Sequence, residues 1–128
     1  MNAIASVITE AVEAVRVQFA DHRVDVAPDG AGGVFITIQD VSVGHAYVPQ
    51  TTWLGFHISA AYPDADVYPH YVGLLTRVDG QRHGPAIQAP GWRGQPALQI
   101  SRRSNHRDAA VDSAALKAGR IRRWLADQ

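Results

Sequence analysis

The chain contains no cysteine in its 128 residues. Disulfides, thiolate zinc sites, iron–sulfur clusters and a cysteine nucleophile for thioester chemistry are therefore excluded. Lysine is almost absent as well, Lys117 standing against eleven arginines, a ratio that favours fork-type pairing with carboxylates. No apolar run approaches the length of a membrane span, which predicts no membrane insertion. The opening MNAIASVITE lacks a basic start and places Glu10 where a signal peptide would be purely apolar. A cytoplasmic location is the expectation. Net charge is zero and the isoelectric point about 7.0, which argues against a dedicated nucleic-acid binder.

What is present suits one domain over residues 1–128. The chain is 46% hydrophobic and 19% charged, long enough to bury roughly two-thirds of its unfolded surface around a single core. Its charge is unevenly laid out. Residues 1–92 carry four arginines against nine acids, a net −5, whereas residues 93–123 carry seven arginines and Lys117 against Asp108 and Asp112, a net +6. The last third is a basic element, either a solvated or internally paired face or a surface for a partner.

Residues 3–19 place Ile4, Ile8, Val12, Val15 and Phe19 on one side, so the spacing predicts an amphipathic helix. From Arg23 the period falls to two. Val24 and Val26, then Val34, Ile36 and Ile38, then Val41 and Val43 flank the turn PDGAGG and predict a hairpin. WLGFHIS (53–59) and YVGLLTRV (71–78) extend the series to four strands, with AYPDADVYPHY as a proline-shaped crossover between them. The stretch QRHGPAIQAPGWRGQP reads as an irregular loop, and PALQIS (96–101) as a short extended segment. A second helix is expected from near Asp108 or Asp112, with Val111, Ala115, Ala118, Ile121 and Leu125 on its apolar side and Arg120, Arg122 and Arg123 where its dipole favours cations.

Six histidines (22, 45, 57, 70, 83 and 106) lack metal-ligand spacing, and no metal is expected. His57 alternates with Phe56 and is expected to face solvent, while His83 and His106 lie in loops beside arginines. No GxSxG is present, and Ser101 and Ser104 stand near His106 and Asp108 in no recognised triad order. PDGAGG lacks the ending of a phosphate loop. Trp53, Trp92 and Trp124 read as packing anchors rather than stacking platforms. Three histidines in irregular segments, His70, His83 and His106, are candidates for a small histidine-dependent enzyme.

The order helix, four-strand meander, irregular loop, helix resembles that of the ubiquitin-conjugating (E2) fold. In FHISAAYPDADVYPHYVGLL, Tyr62-Pro63 and Pro69 occupy places similar to the Tyr-Pro and following proline of that family, and GQPALQIS matches its Gly-any-Ile-Cys-Leu pattern at Gly94 and Leu98. The family's cysteine position falls at Ala97, and its His-Pro-Asn element is missing from PAIQAPGWR. The resemblance spans residues 3–126. It implies an α+β, E2/UBC-like fold without a cofactor, similar to the bacterial E2-like proteins of ubiquitin-like modification operons that also encode E1-like and JAB-peptidase-like proteins. Alanine offers no nucleophile for acyl transfer, so the expected role is non-catalytic binding of a ubiquitin-like protein or an E1-like partner, as in ubiquitin E2 variants. Arg93, Arg102, Arg103 and Arg107 are the expected contact residues, and Ser101 or Ser104 would be the replacement if a hydroxyl had taken over from the thiol. A generic α+β interaction module without a ubiquitin link is the remaining reading.

Overall fold

The computed structural model describes residues 5–102 and 113–128. Helix α1 occupies Ser6–Gln18 of the expected 3–19 and buries Ile8, Ala11, Val12 and Val15, the three- and four-residue spacing that gives a helix one apolar side. Strand β1 (Val24–Pro28) and strand β2 (Val34–Ser42) form the expected hairpin, with Val24 opposite Ile38 and Pro28 opposite Val34. Asp29 closes its turn. The Oδ1 atom accepts from the amides of Ala31 (2.7 Å) and Gly33 (2.9 Å), and Gly30 and Gly32 take the left-handed conformation that the reversal needs.

Strand β2 keeps its apolar residues inward despite a three-residue step from Ile38 to Val41. Gln39 and Asp40 together oppose Trp53 in a bulge, with Asp40 at φ 56, so Val41 and Val43 return to the core at 1% and 0% exposure. A short strand β3 (Tyr47–Val48) then leaves the sheet, and strand β4 (Thr51–Ile58) pairs back along β2. The crossover 59–69 contains two cis prolines, Pro63 and Pro69. Strand β5 (His70–Val72) completes the antiparallel meander.

The expected single strand over 71–78 is divided. Gly73 donates its amide to Thr52 Oγ1 (3.0 Å), Leu75 turns inward, and strand β6 (Thr76–Arg77) pairs with β3 in a separate two-stranded ribbon. Strand β7 (Ile87–Gln88) and strand β8 (Leu98–Ile100) then extend the main sheet, β8 lying between β5 and β7. The four-stranded meander is thus part of a six-stranded antiparallel sheet of order β1-β2-β4-β5-β8-β7, edged by β1 and β7. PALQIS is an inner strand of it. Short strands flanked by Pro and Gly carry too few residues to show a period, which is why this part exceeds the expectation.

Helix α2 (Ala114–Ala126) begins at Ser113, whose side chain accepts from the Leu116 amide, and Tyr62 Oη accepts from the Ala114 amide. The expected start near Asp108 or Asp112 lies outside the described residues. Helices α1 and α2 contact each other and share one core with the inward residues of the sheet. The last helix is fixed at its far end too, where Tyr47 Oη donates to the Leu125 carbonyl (2.9 Å). The architecture is α+β, with both helices on one face. No helix among the described residues is long and apolar enough to cross a membrane.

Candidate functional site

Alternation that turns Leu54, Phe56 and Ile58 inward turns Trp53, Gly55 and His57 outward, together with Phe35 on β2 and Tyr71 on β5. Phe35 is paired with His57, and Gly55 with Tyr71. Glycine at 55 leaves a gap in this aromatic face, and Trp92 fills it from the loop between β7 and β8. A Cβ at Gly55 would lie 2.2 Å from Trp92 Cζ3, so no other residue type fits beneath the indole as placed. Trp92 stacks on Tyr71 (5.0 Å, 10°) and Trp53 (5.7 Å, 20°), and meets Phe35 edge-on (6.1 Å, 78°).

A tight hairpin aims that indole. Trp92 and Gln95 exchange backbone hydrogen bonds (2.9 and 3.1 Å), and the two residues between them, Arg93 and Gly94, both have positive φ (50 and 79). Two left-handed residues in succession make the turn that suits a two-residue hairpin. Arginine seldom adopts this conformation, and holding it costs on the order of 1 kcal/mol. Its guanidinium carbon sits 4.4 Å from the Phe35 ring centre and 5.6 Å from that of Trp92. Residues 90–95 line a shallow open cavity of about 320 Å³ around this turn.

At the border of the same face His57 Nε2 donates to Asp29 Oδ2 (2.6 Å), and the imidazole lies on Phe35 (4.8 Å). His57 faces outward as expected, its side chain 40% exposed, and is in addition tied to Asp29. The bond to His57, together with the Ala31 amide, holds the Asp29 carboxyl below its ordinary range. With Asp29 already fixed by the turn, the pair orients the ring and ties the hairpin turn to β4.

The residues expected to carry function are dispersed. Ala97 is 1% exposed, its carbonyl accepting from the Gly91 amide (3.3 Å), so the position matched to the family cysteine holds a buried methyl. Ser101 Oγ accepts from Gln99 Nε2 (3.1 Å), which in turn belongs to the Tyr71 network through Gln99 Oε1 (3.3 Å). His83 Nε2 donates to the Leu75 carbonyl (2.8 Å) and the ring packs by Tyr47, a role in loop anchoring. His70 is fully buried on the inner face beside Phe56, neither ring nitrogen has a partner among the described residues, and burial, aided by the charge of Lys117, lowers its pKa to about 3. It is held neutral. Lys117 itself is 5% exposed and pairs with Asp66 at 2.7 Å.

Arg93 and Arg102, expected to act together, are separated: Arg102 rests over Trp124 of α2 (5.0 Å), on the helical side. Arg103, Arg107, His106 and Ser104 lie outside the described residues. Among the described residues, no group of three or more His, Asp or Glu side chains is placed to hold a metal ion. Sequence reasoning passed over Phe35, Tyr71 and the Asp29–His57 pair. The available signs were aromatic residues in the outward phase of three strands and a glycine in the middle of β4. Comparisons with protein-family models, with curated proteins and with solved structures found no match.

Proposed function

We propose that the chain is a non-catalytic, E2-like binding domain that meets a ubiquitin-like protein or an E1-like partner of a bacterial modification system through its outer sheet face. Arg93 carries this reading. It holds an unfavourable backbone conformation, lies exposed on an aromatic bed, and opens the segment of net +6 charge. The ring contacts of Arg93 do no more than offset its backbone strain, so folding gains no net advantage over a glycine at that place. An aromatic cluster with one arginine is the composition enriched at the centres of protein interfaces. The buried methyl of Ala97 supports the non-catalytic half, because neither a thiol nor a hydroxyl stands at that place.

The test is a titration of the protein and of Arg93→Ala against ubiquitin-like and E1-like proteins encoded beside it, at two ionic strengths. Loss of an interface arginine should weaken binding by about 1–3 kcal/mol, most visibly at low salt. Unchanged affinity with an unchanged salt slope removes this face from the interface. A hydroxylamine-sensitive adduct formed with an E1-like enzyme, ATP and a ubiquitin-like protein would overturn the non-catalytic reading.

A further inference from the structure

On the opposite side of the molecule, the end of α1 and the middle of α2 leave a half-open cleft of about 230 Å³ lined by Gln18, Phe19, His22, Gly119, Arg122 and Arg123. Gly119 forms its floor. A Cβ there would stand 2.6 Å from Gln18 Nε2 and 3.9 Å from Arg123 Nη1, so an amide donor and a guanidinium converge above the bare backbone. His22 makes a fixed wall, its Nδ1 donating to the Gln39 carbonyl (2.8 Å) and its ring set edge-to-face against Phe19 (5.8 Å). Among the described residues, no carboxylate lines the cleft. Among the described residues, the side chains of Arg122 and Arg123 enter no hydrogen bond or ion pair.

We propose that this cleft binds a phosphoryl group, held by Gln18, Arg122 and Arg123 over Gly119. The carbonyl ends of α1 and of α2, in whose last turn Arg123 lies, offset part of this charge, but each carries only about half a unit of negative charge, so about one positive charge is left over. That excess calls for an anion, and two adjacent forks suit a phosphoryl group, whose several oxygens can use both at once, better than a carboxylate. The volume exceeds that of inorganic phosphate alone, so the source is either free phosphate or a small phosphomonoester. This site is independent of the outer sheet face.

Side-chain amide and imidazole NMR signals of the folded protein decide the matter during titration with inorganic phosphate, glucose 6-phosphate and chloride at matched ionic strength. Saturable shifts of Gln18 and His22 with the phosphates alone are expected, at roughly 1 mM or below. Arg123→Gln and Arg122→Gln should each weaken binding about tenfold, the scale of losing one charge-assisted contact. Gly119→Ala should abolish it by filling the floor. Stronger binding of glucose 6-phosphate identifies a phosphomonoester, and preference for inorganic phosphate identifies the free ion. Shifts equal to those given by chloride, or shifts undiminished in the folded arginine variants, overturn the proposal. Should an arginine variant fail to fold, the chloride comparison on the unaltered chain still decides.

Discussion

The inner face of the sheet carries Val34, Ile36, Ile38, Leu54, Phe56, Ile58, Val72 and Ile100 beneath two helices, whereas the outer face carries Phe35, Trp53, His57 and Tyr71 beneath one loop. Both use the same strands in the same register, one residue out of phase. The inner side is sealed by amphipathic elements that announce themselves in sequence. Cover on the outer side comes from a single indole delivered across the sheet by a strained turn. Folding energy should therefore be concentrated on one side and recognition on the other.

The sharpest way to break that contrast is to remove a ring from the inner side and displace one on the outer side. Phe56 is 0% exposed, and Phe56→Ala should cost about 3–5 kcal/mol in urea unfolding, the usual cost of emptying an aromatic site in a core. On the outer side Gly55→Ala places a methyl against the indole and should cost about 1–3 kcal/mol, with tryptophan emission shifting to the red as Trp92 is expelled. Coupling gives the check. If the loop alone is the victim, Gly55→Ala combined with Trp92→Ala should be no less stable than Trp92→Ala by itself. A full additional loss would place the damage inside β4.

Titration separates the faces further. Between pH 6.5 and 3.8 the unfolded chain binds a proton at residue 70 that the folded chain refuses, because the folded-state value is lowered from 6.5 to about 3. The stabilising form is the neutral one, so stability is fully present above 6.5 and falls as pH drops, on the order of 1 kcal/mol per pH unit. Below 3.8 the depressed carboxylates Asp25, Asp29 and Asp79 add their own losses, which makes the upper window the informative one. His70→Leu should flatten the slope there. An unchanged slope would show that water reaches the inner face.

The smallest expected effect is the most telling about the outer face. Arg93→Gly relieves the left-handed arginine while losing its ring contacts, two terms of about 0.5–1 kcal/mol and of opposite sign. Stability should stay within about 0.5 kcal/mol of the parent while partner affinity falls. A large loss of stability would make Arg93 part of the scaffold.

Much of the inner face was legible because it rests on local periods. The 3.6-residue repeat of Ile8, Val12 and Val15 gives α1, the two-residue repeat of Val34, Ile36 and Ile38 gives β2, and the odd step to Val41 is the trace of a bulge. The outer face was less so. Trp92 reaches Gly55 across 37 residues, Lys117 finds Asp66 across 51, and no local pattern encodes such meetings. Strands of two and three residues, as in β7 and β8, are similarly silent, since their pairing is decided by neighbours already in place. Gly55 is the exception, a residue whose presence within a strand signals that something comes close.

The rim of the sheet bears on how the protein meets other molecules. β7 offers only Ile87 and Gln88 between Pro85 and Pro90, while β1 ends in Pro28 and surrounds its middle with the Arg23–Asp25 pair and Gln39. Among the described residues, neither border presents a long run of unpaired amides and carbonyls for an added strand. Both borders among the described residues therefore disfavour edge-to-edge pairing, the geometry of fibril growth and of peptide capture by strand addition.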